Sequence, residues 1–244
     1  MAKSHISALA DFASSNVLLA FDVDGTLASI VPDPPAARRR PATRRLLAAV
    51  ASRYPCVLIS GRARHDLVRR VGSVPVLHLS GNHGLEPWAQ HPRYSAQVKR
   101  WGRAIEQGLA SYSGVVIEDK TYSVTIHCRH AKPRRQALAA IARAVRSLRG
   151  ARSIGGTHAI SLVPRGAPTK GAALERARRL LECDTAIYVG DDEGEDAFTA
   201  GRADRLLSIR VGMFRDSGAR YRLRNQGEID GLLTALLACR TRPQ

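Results

Sequence analysis

The chain has 244 residues, enough for one large domain or two small ones, and carries a formal net charge of +17 with only 5% aromatic residues. No apolar run approaches a membrane span, and no helix-turn-helix, zinc-finger or stacking-aromatic pattern accompanies the excess of arginine. Cys56, Cys128, Cys183 and Cys239 are widely spaced, with neither metal-ligand nor redox spacing, so reduced thiols in a cytoplasmic protein are expected. The segment before Asn16 is interrupted by Ser4, His5, Ser7 and Asp11, unlike a signal peptide. Paired arginines such as Arg69-Arg70, Arg134-Arg135 and Arg178-Arg179 fall on presumed helix surfaces. A basic face for a polynucleotide is the competing reading, and charge alone supports only non-specific binding.

In chain order, Val17-Leu18-Leu19-Ala20 is apolar without alternation, as in a parallel strand buried on both faces. It runs into Phe21-Asp22-Val23-Asp24-Gly25-Thr26-Leu27. A Pro- and Arg-rich connection leads to a helix from Thr43, with Leu46, Leu47, Val50 and Ala51 on one face. Cys56-Val57-Leu58-Ile59 is a second buried strand, ending in Ser60-Gly61-Arg62. A helix around Arg64 to Val71 and a strand at Val76-Leu77-His78-Leu79 complete a β-α-β-α-β run, which builds a parallel sheet.

The pattern then changes. A long helix spans Tyr94 to Ala110, and strands are expected at Gly114 to Glu118 and at Tyr122 to Cys128, the second alternating apolar and polar residues. A helix from Arg134 to Leu148 and a hairpin around Gly155-Gly156 into His158–Val163 repeat the helix-strand-strand order. This reads as an α+β unit at residues 86–164 inserted between core segments 1–85 and 165–244. The α/β alternation resumes with a helix opening at Lys170 and a strand Ala186-Ile187-Tyr188-Val189 ending in Gly190-Asp191-Asp192. A strand at Leu206 to Val211 and a helix from Ile229 to Cys239 close the chain.

Alternation along an extended backbone puts Asp22 and Asp24 on one side, where their repulsion calls for a cation, a proton or both. An Asp-Gly turn would explain Asp24-Gly25 but not Asp22. Ligands of open α/β sheets bind beyond the carboxyl ends of the strands. Neighbouring strands ending in Asp22/Asp24, Ser60 and Asp191/Asp192 would gather four carboxylates and a hydroxyl there, with Lys170 as a fixed positive charge. Oxygen donors without a His or Cys cluster favour a hard cation, Mg²⁺ first, and the set suits phosphoryl transfer through an aspartyl-phosphate. Singly, Ser60 could be a turn residue, Lys170 a solvated side chain and Asp191-Asp192 a helix cap.

These segments resemble the four motifs of haloacid-dehalogenase-superfamily phosphatases: Asp22-Val23-Asp24-Gly25-Thr26-Leu27, Ser60, Lys170 and Gly190-Asp191-Asp192. Within that superfamily, Ile59-Ser60-Gly61-Arg62, Gly81-Asn82-His83-Gly84-Leu85-Glu86, Glu118-Asp119-Lys120, His127-Cys128-Arg129 and Pro164-Arg165-Gly166 are similar to trehalose-6-phosphate phosphatases. The resemblance implies a Rossmann-like core with an α/β cap, and a Mg²⁺-dependent phosphatase whose partner is a small sugar phosphate. Asp22 is implied as nucleophile and Asp24 as acid and base. Ser60 and Lys170 would hold the phosphoryl group, and Asp22, Asp24, Asp191 and Asp192 the metal. Substrate contacts are implied for Arg62, Asn82, His83, Glu118, Lys120 and Arg129, with a packed structural imidazole as the competing reading of His83 and of His127.

The chain departs from the family pattern at Ser161, where a Glu is usual, and in one extra residue between Pro164 and Lys170. The second acidic position of the fourth motif falls on Glu195 or Asp196. Loss of a sugar-gripping carboxylate leaves a phosphatase of another sugar phosphate or phosphorylated glyceroside as the nearest alternative. A non-enzymatic sugar-phosphate sensor is a further one, although a sensor has no use for a nucleophile.

Overall fold

The computed structural model describes residues 3–29, 40–156, 158–191, 196–213 and 217–240. In chain order the elements are α1 (Lys3–Ser14), β1 (Val17–Phe21), α2 (Pro41–Ala51), β2 (Cys56–Ile59), α3 (Arg64–Val71) and β3 (His78–Ser80). There follow α4 (Pro92–Leu109), β4 (Val116–Asp119), β5 (Val124–His127), α5 (Arg134–Ser147), β6 (Ala151–Gly156) and β7 (Ala159–Pro164). The chain continues through α6 (Lys170–Leu180), β8 (Thr185–Gly190), β9 (Leu206–Val211), β10 (Tyr221–Leu223) and α7 (Ile229–Cys239). Short 3₁₀ turns lie at Asn82–Gly84 and Asp196–Thr199.

Six parallel strands form one sheet in the order β10-β9-β8-β1-β2-β3. Every residue of β1 is buried because its two faces belong to two cores. Val17, Leu19 and Phe21 pack with Leu9 of α1, Leu47 and Val50 of α2, and Leu232 and Leu236 of α7. Leu18 and Ala20 pack on the opposite face with Ala173, Leu174 and Ala177 of α6. The strand order reverses at β1, which sits between β2 and β8, and such a switch point opens a crevice at the carboxyl ends of the strands.

A second, antiparallel sheet, β4-β5-β7-β6, is built entirely from chain between β3 and α6. One face packs Val124, Ile126 and Leu162 against Val98, Trp101 and Ile105 of α4 and Ile141 of α5. Period-two alternation therefore turns Thr125, His127 and Ser161, with Glu118 paired opposite Thr125, to the other face.

Several boundaries differ from the sequence expectation. The amphipathic helix α1 was not anticipated, nor was the three-residue β10. The strand expected at Val76 begins at His78, with Leu77 exposed, because the register sets His78 opposite Val57. All four cysteines are free, and no described helix is long and apolar enough to cross a membrane.

On α6, Glu175 accepts from Arg178 Nη2 at 2.7 Å and from Arg179 Nε at 2.9 Å, while Arg178 Nη1 donates to the Cys183 carbonyl at 2.5 Å. The hydrogen bond from Arg178 leads in holding the Glu175 carboxyl at about 2, against an ordinary 4.5. A depressed folded-state pKa adds stability above pH 4.5 that is lost as pH falls through 2. Glu175→Gln is therefore expected to melt below the parent at pH 7, with the gap closing between pH 4.5 and 2 in thermal melts. A gap independent of pH would rule the linkage out.

Candidate active site

Asp22 is the first residue beyond β1, and its N–H donates to the Val189 carbonyl of β8 at 2.8 Å. Its carboxylate is 3% exposed and doubly engaged. Oδ1 accepts from the Val23 N–H at 2.6 Å, and Oδ2 accepts from Lys170 Nζ at 2.6 Å. Lys170 is 4% exposed and opens α6, where the helix macrodipole disfavours a cation. The buried Asp22 carboxylate supplies the compensating charge, so each group accounts for the burial of the other.

The chain then turns at Gly25, in the left-handed region at φ +79, where a side chain would collide with the Asp191 carboxylate. Asp191, directly after β8, is thereby seated against the loop that carries Asp22 and Asp24. Its carbonyl accepts from Arg210 Nη2 at 3.0 Å.

Asp24 is gripped by Arg62, with Nε donating to Oδ2 and Nη2 to Oδ1, both at 2.6 Å. Arg62 Nη1 donates to Asp66 at 2.8 Å. Burial opposes the guanidinium charge, but hydrogen bonds and charge from Asp24 and Asp66 outweigh it and push the pKa up. Ser60 is buried at the end of β2 and accepts at Oγ from the Arg62 N–H at 3.3 Å. Its carbonyl accepts from the His83 N–H at 3.0 Å, and the buried His83 ring packs against Gly61. Gly84, next in the chain, backs onto the Thr169 carbonyl, which ties this turn to the start of α6.

Asn82 is 0% exposed, and among the described residues its carboxamide bonds to Ser123, Glu86 and the Lys120 carbonyl. From the antiparallel sheet, Lys120 Nζ reaches 3.3 Å from the Gly61 carbonyl and 3.5 Å from Glu118. Burial lowers the Lys120 pKa, partly offset by Glu118. Glu118 Oε2 also lies 2.9 Å from His127 Nε2. Burial works against the Glu118 carboxylate, yet His127 and Lys120 hold it below the usual range. Ser161 and Thr125 hydroxyls are 2.9 Å apart on the same face.

A sequence model of the trehalose-phosphatase family matches residues 20–226. The chain belongs to the trehalose-phosphatase family. It is 36% identical over 207 residues to a trehalose-phosphate phosphatase of Mycobacterium avium, covering 78% of this chain and 53% of that protein. Against the Mycobacterium tuberculosis protein of the same name it is 34% identical over 194 residues, covering 73% and 49%. The chain thus spans about half the length of the curated relatives it matches. The C-terminal domain of Candida albicans trehalose-6-phosphate phosphatase superposes with a TM-score of 0.80 at 21% identity, covering 97% of this chain and 98% of that one. A protein of a phosphoryl-transfer superfamily superposes at 0.60 and 14% identity, covering 92% and 98%. The fold, a parallel sheet flanked by helices with a separate antiparallel sheet, is shared with these solved structures.

For this trehalose-phosphatase family member, the fold brings Asp22, Asp24, Ser60, Arg62, Lys170 and Asp191 to one crevice, with Lys120 and His83 at its wall. Arg129 follows β5 and makes no side-chain hydrogen bond or ion pair among the described residues. Asp192 and Glu195 lie outside the described residues. Asp196 accepts from the Gly171 N–H at 3.1 Å, at the N-terminus of α6. Among the described residues no three His, Cys, Asp or Glu side chains cluster as a metal site. The Asp22 and Asp191 carboxylates, on either side of the Gly25 turn, are the oxygen donors that the described residues bring together there.

Two buried charged residues that brace the crevice were given no role from the sequence. Glu86 is buried and accepts from the Arg64 N–H and from Asn82, both at 2.7 Å, so it joins the start of α3 to the Asn82 turn. Arg210 is 0% exposed inside β9 and braces the Asp191 carbonyl. Its only sequence signal is a cation near the carboxyl end of a strand that is apolar but for Ser208.

Proposed function

We propose that the protein is a Mg²⁺-dependent phosphatase that hydrolyses trehalose 6-phosphate through an aspartyl-phosphate. Residues 1–85 and 165–244 form its catalytic core and residues 86–164 its substrate-reading cap. The buried Asp22–Lys170 pair at the switch point carries this reading. An oxygen of Asp22 attacks phosphorus while the bond to the sugar oxygen breaks, and Asp24 delivers a proton to that oxygen. Asp24, then a carboxylate, takes a proton from water, which attacks phosphorus, breaks the bond to Asp22 and releases inorganic phosphate. Lys170 and the Ser60 hydroxyl hold phosphoryl oxygens and disperse their charge. Arg62 orients Asp24.

The Asp22 and Asp191 carboxylates with the Asp24 carbonyl suit Mg²⁺, which takes one or two protein carboxylates and keeps its waters, with Asp192 in support. When bound, the ion neutralises charge on the phosphoryl group. Glu118, Lys120 and Arg129 read the sugar, the carboxylate accepting hydroxyls and the cations favouring a phosphorylated ligand. Ser161, where the family usually has a Glu, pairs with the Thr125 hydroxyl and favours a second reading: another sugar phosphate or a phosphorylated glyceroside as substrate.

Phosphate release from a panel of sugar phosphates, with and without chelator, is the test. Trehalose 6-phosphate should be hydrolysed at least about tenfold faster than glucose 6-phosphate, in kcat/KM, and chelator should stop both reactions. Equal rates would remove the trehalose assignment alone. No release from any ester would remove the phosphatase.

A further inference from the structure

The cap and the core meet in one buried polar junction centred on Asn82. Asn82 Oδ1 accepts from the Ser123 hydroxyl at 2.5 Å. Its Nδ2 donates to Glu86 Oε2 at 2.7 Å and to the Lys120 carbonyl at 3.2 Å. The Asn82 backbone is left-handed, at φ +50, a conformation that Asn tolerates better than most residues. Ser123 is buried at the far end of the turn joining β4 to β5, and its carbonyl accepts from the Lys120 N–H at 2.9 Å. Both ends of that turn are therefore fastened to one core side chain. The same turn carries Lys120, whose ammonium lies 3.3 Å from the Gly61 carbonyl, between Ser60 and Arg62.

We propose that Ser123 is a positioning residue for substrate specificity. Through Asn82, it registers the β4–β5 turn against the Ser60–Arg62 loop and thereby sets where Lys120 and Glu118 meet the sugar. This rests on the phosphatase reading above. Asn82 is the receiving half of the junction, with its amide groups engaged by Ser123, Glu86 and the Lys120 carbonyl. Among the described residues Ser123 hydrogen-bonds to Asn82 and Lys120 and not to Asp22, Asp24 or Lys170, so its effect reaches the reaction only through substrates large enough to engage the cap.

The test is Ser123→Ala, assayed on the sugar phosphate that the parent protein turns over fastest and on p-nitrophenyl phosphate, which has no sugar. The expected result is a KM about tenfold higher for the sugar phosphate with kcat within twofold, and unchanged kinetics on the aryl ester. Ser123→Cys, with a weaker donor of similar size, should fall between parent and alanine variant. Equal losses on both esters, or no change on either, would overturn the proposal. So would failure of both variants to fold, since the junction would then hold the fold and not the substrate. A parent protein that hydrolyses neither ester would instead sink the phosphatase reading.

Discussion

Asp22→Asn is expected to end phosphate release from every substrate, with kcat lowered by at least about 10⁴-fold. The amide is no nucleophile, so neither the phosphoenzyme nor its hydrolysis follows. Its oxygen can still accept from the Val23 N–H, which preserves the turn after β1. Its NH₂ then meets the Lys170 ammonium, donor against donor, where the carboxylate accepted at 2.6 Å. Lys170, only 4% exposed, loses its 2.6 Å ion-pair contact with Asp22, and breaking such a buried pair costs about 3–5 kcal/mol. The variant should thus melt earlier than the parent while keeping its far-UV circular dichroism. Rapid-quench measurement of acid-stable phosphoprotein reports the chemistry directly: present in the parent, absent in the variant. Turnover by a folded Asp22→Asn protein would refute the assignment of Asp22.

Lys170→Met should lower kcat by about 10²–10³-fold, because it removes a preorganised cation from the phosphoryl oxygens. It also leaves the Asp22 carboxylate buried without that ion pair, again at about 3–5 kcal/mol. Combining the two substitutions gives the sharper result. The double variant removes the same contact from both sides at once, so its denaturation midpoint should lie above the value expected by adding the two single losses. Activity should be no lower than in Asp22→Asn alone, since both residues serve one step. Strict additivity in stability would mean that the 2.6 Å contact does not couple them.

Much of the core was legible because burial leaves a simple mark. Val17–Phe21 and Cys56–Ile59 are apolar throughout, as strands covered on both faces must be, and the structure buries every residue of both. The strand-end motifs were readable for a related reason: carboxylates and a hydroxyl directly after buried strands are costly to place without a task. The second sheet was marked by alternation, since Val124 and Ile126 face the helices while Thr125 faces away. Helix α1 was missed because its apolar face is short: Leu9 and Ala13 reach the core with Ala8 and Phe12 packed against it, in a segment interrupted by Ser7 and Asp11.

By itself, the sequence determined the α/β organisation with its separate antiparallel sheet, and it marked Asp22, Asp24, Ser60 and Lys170 at the ends of buried strands and the start of a helix, because these follow from local periodicity and residue chemistry. Only the tertiary structure decided how those side chains pair. That Arg62 grips Asp24, that Asn82 joins Glu86 to Ser123, and that Arg210 braces Asp191 all depend on partners distant in the chain. A polar side chain carries no mark of which remote donor or acceptor will satisfy it. The order β8-β1-β2 is what brings those partners within reach of one another.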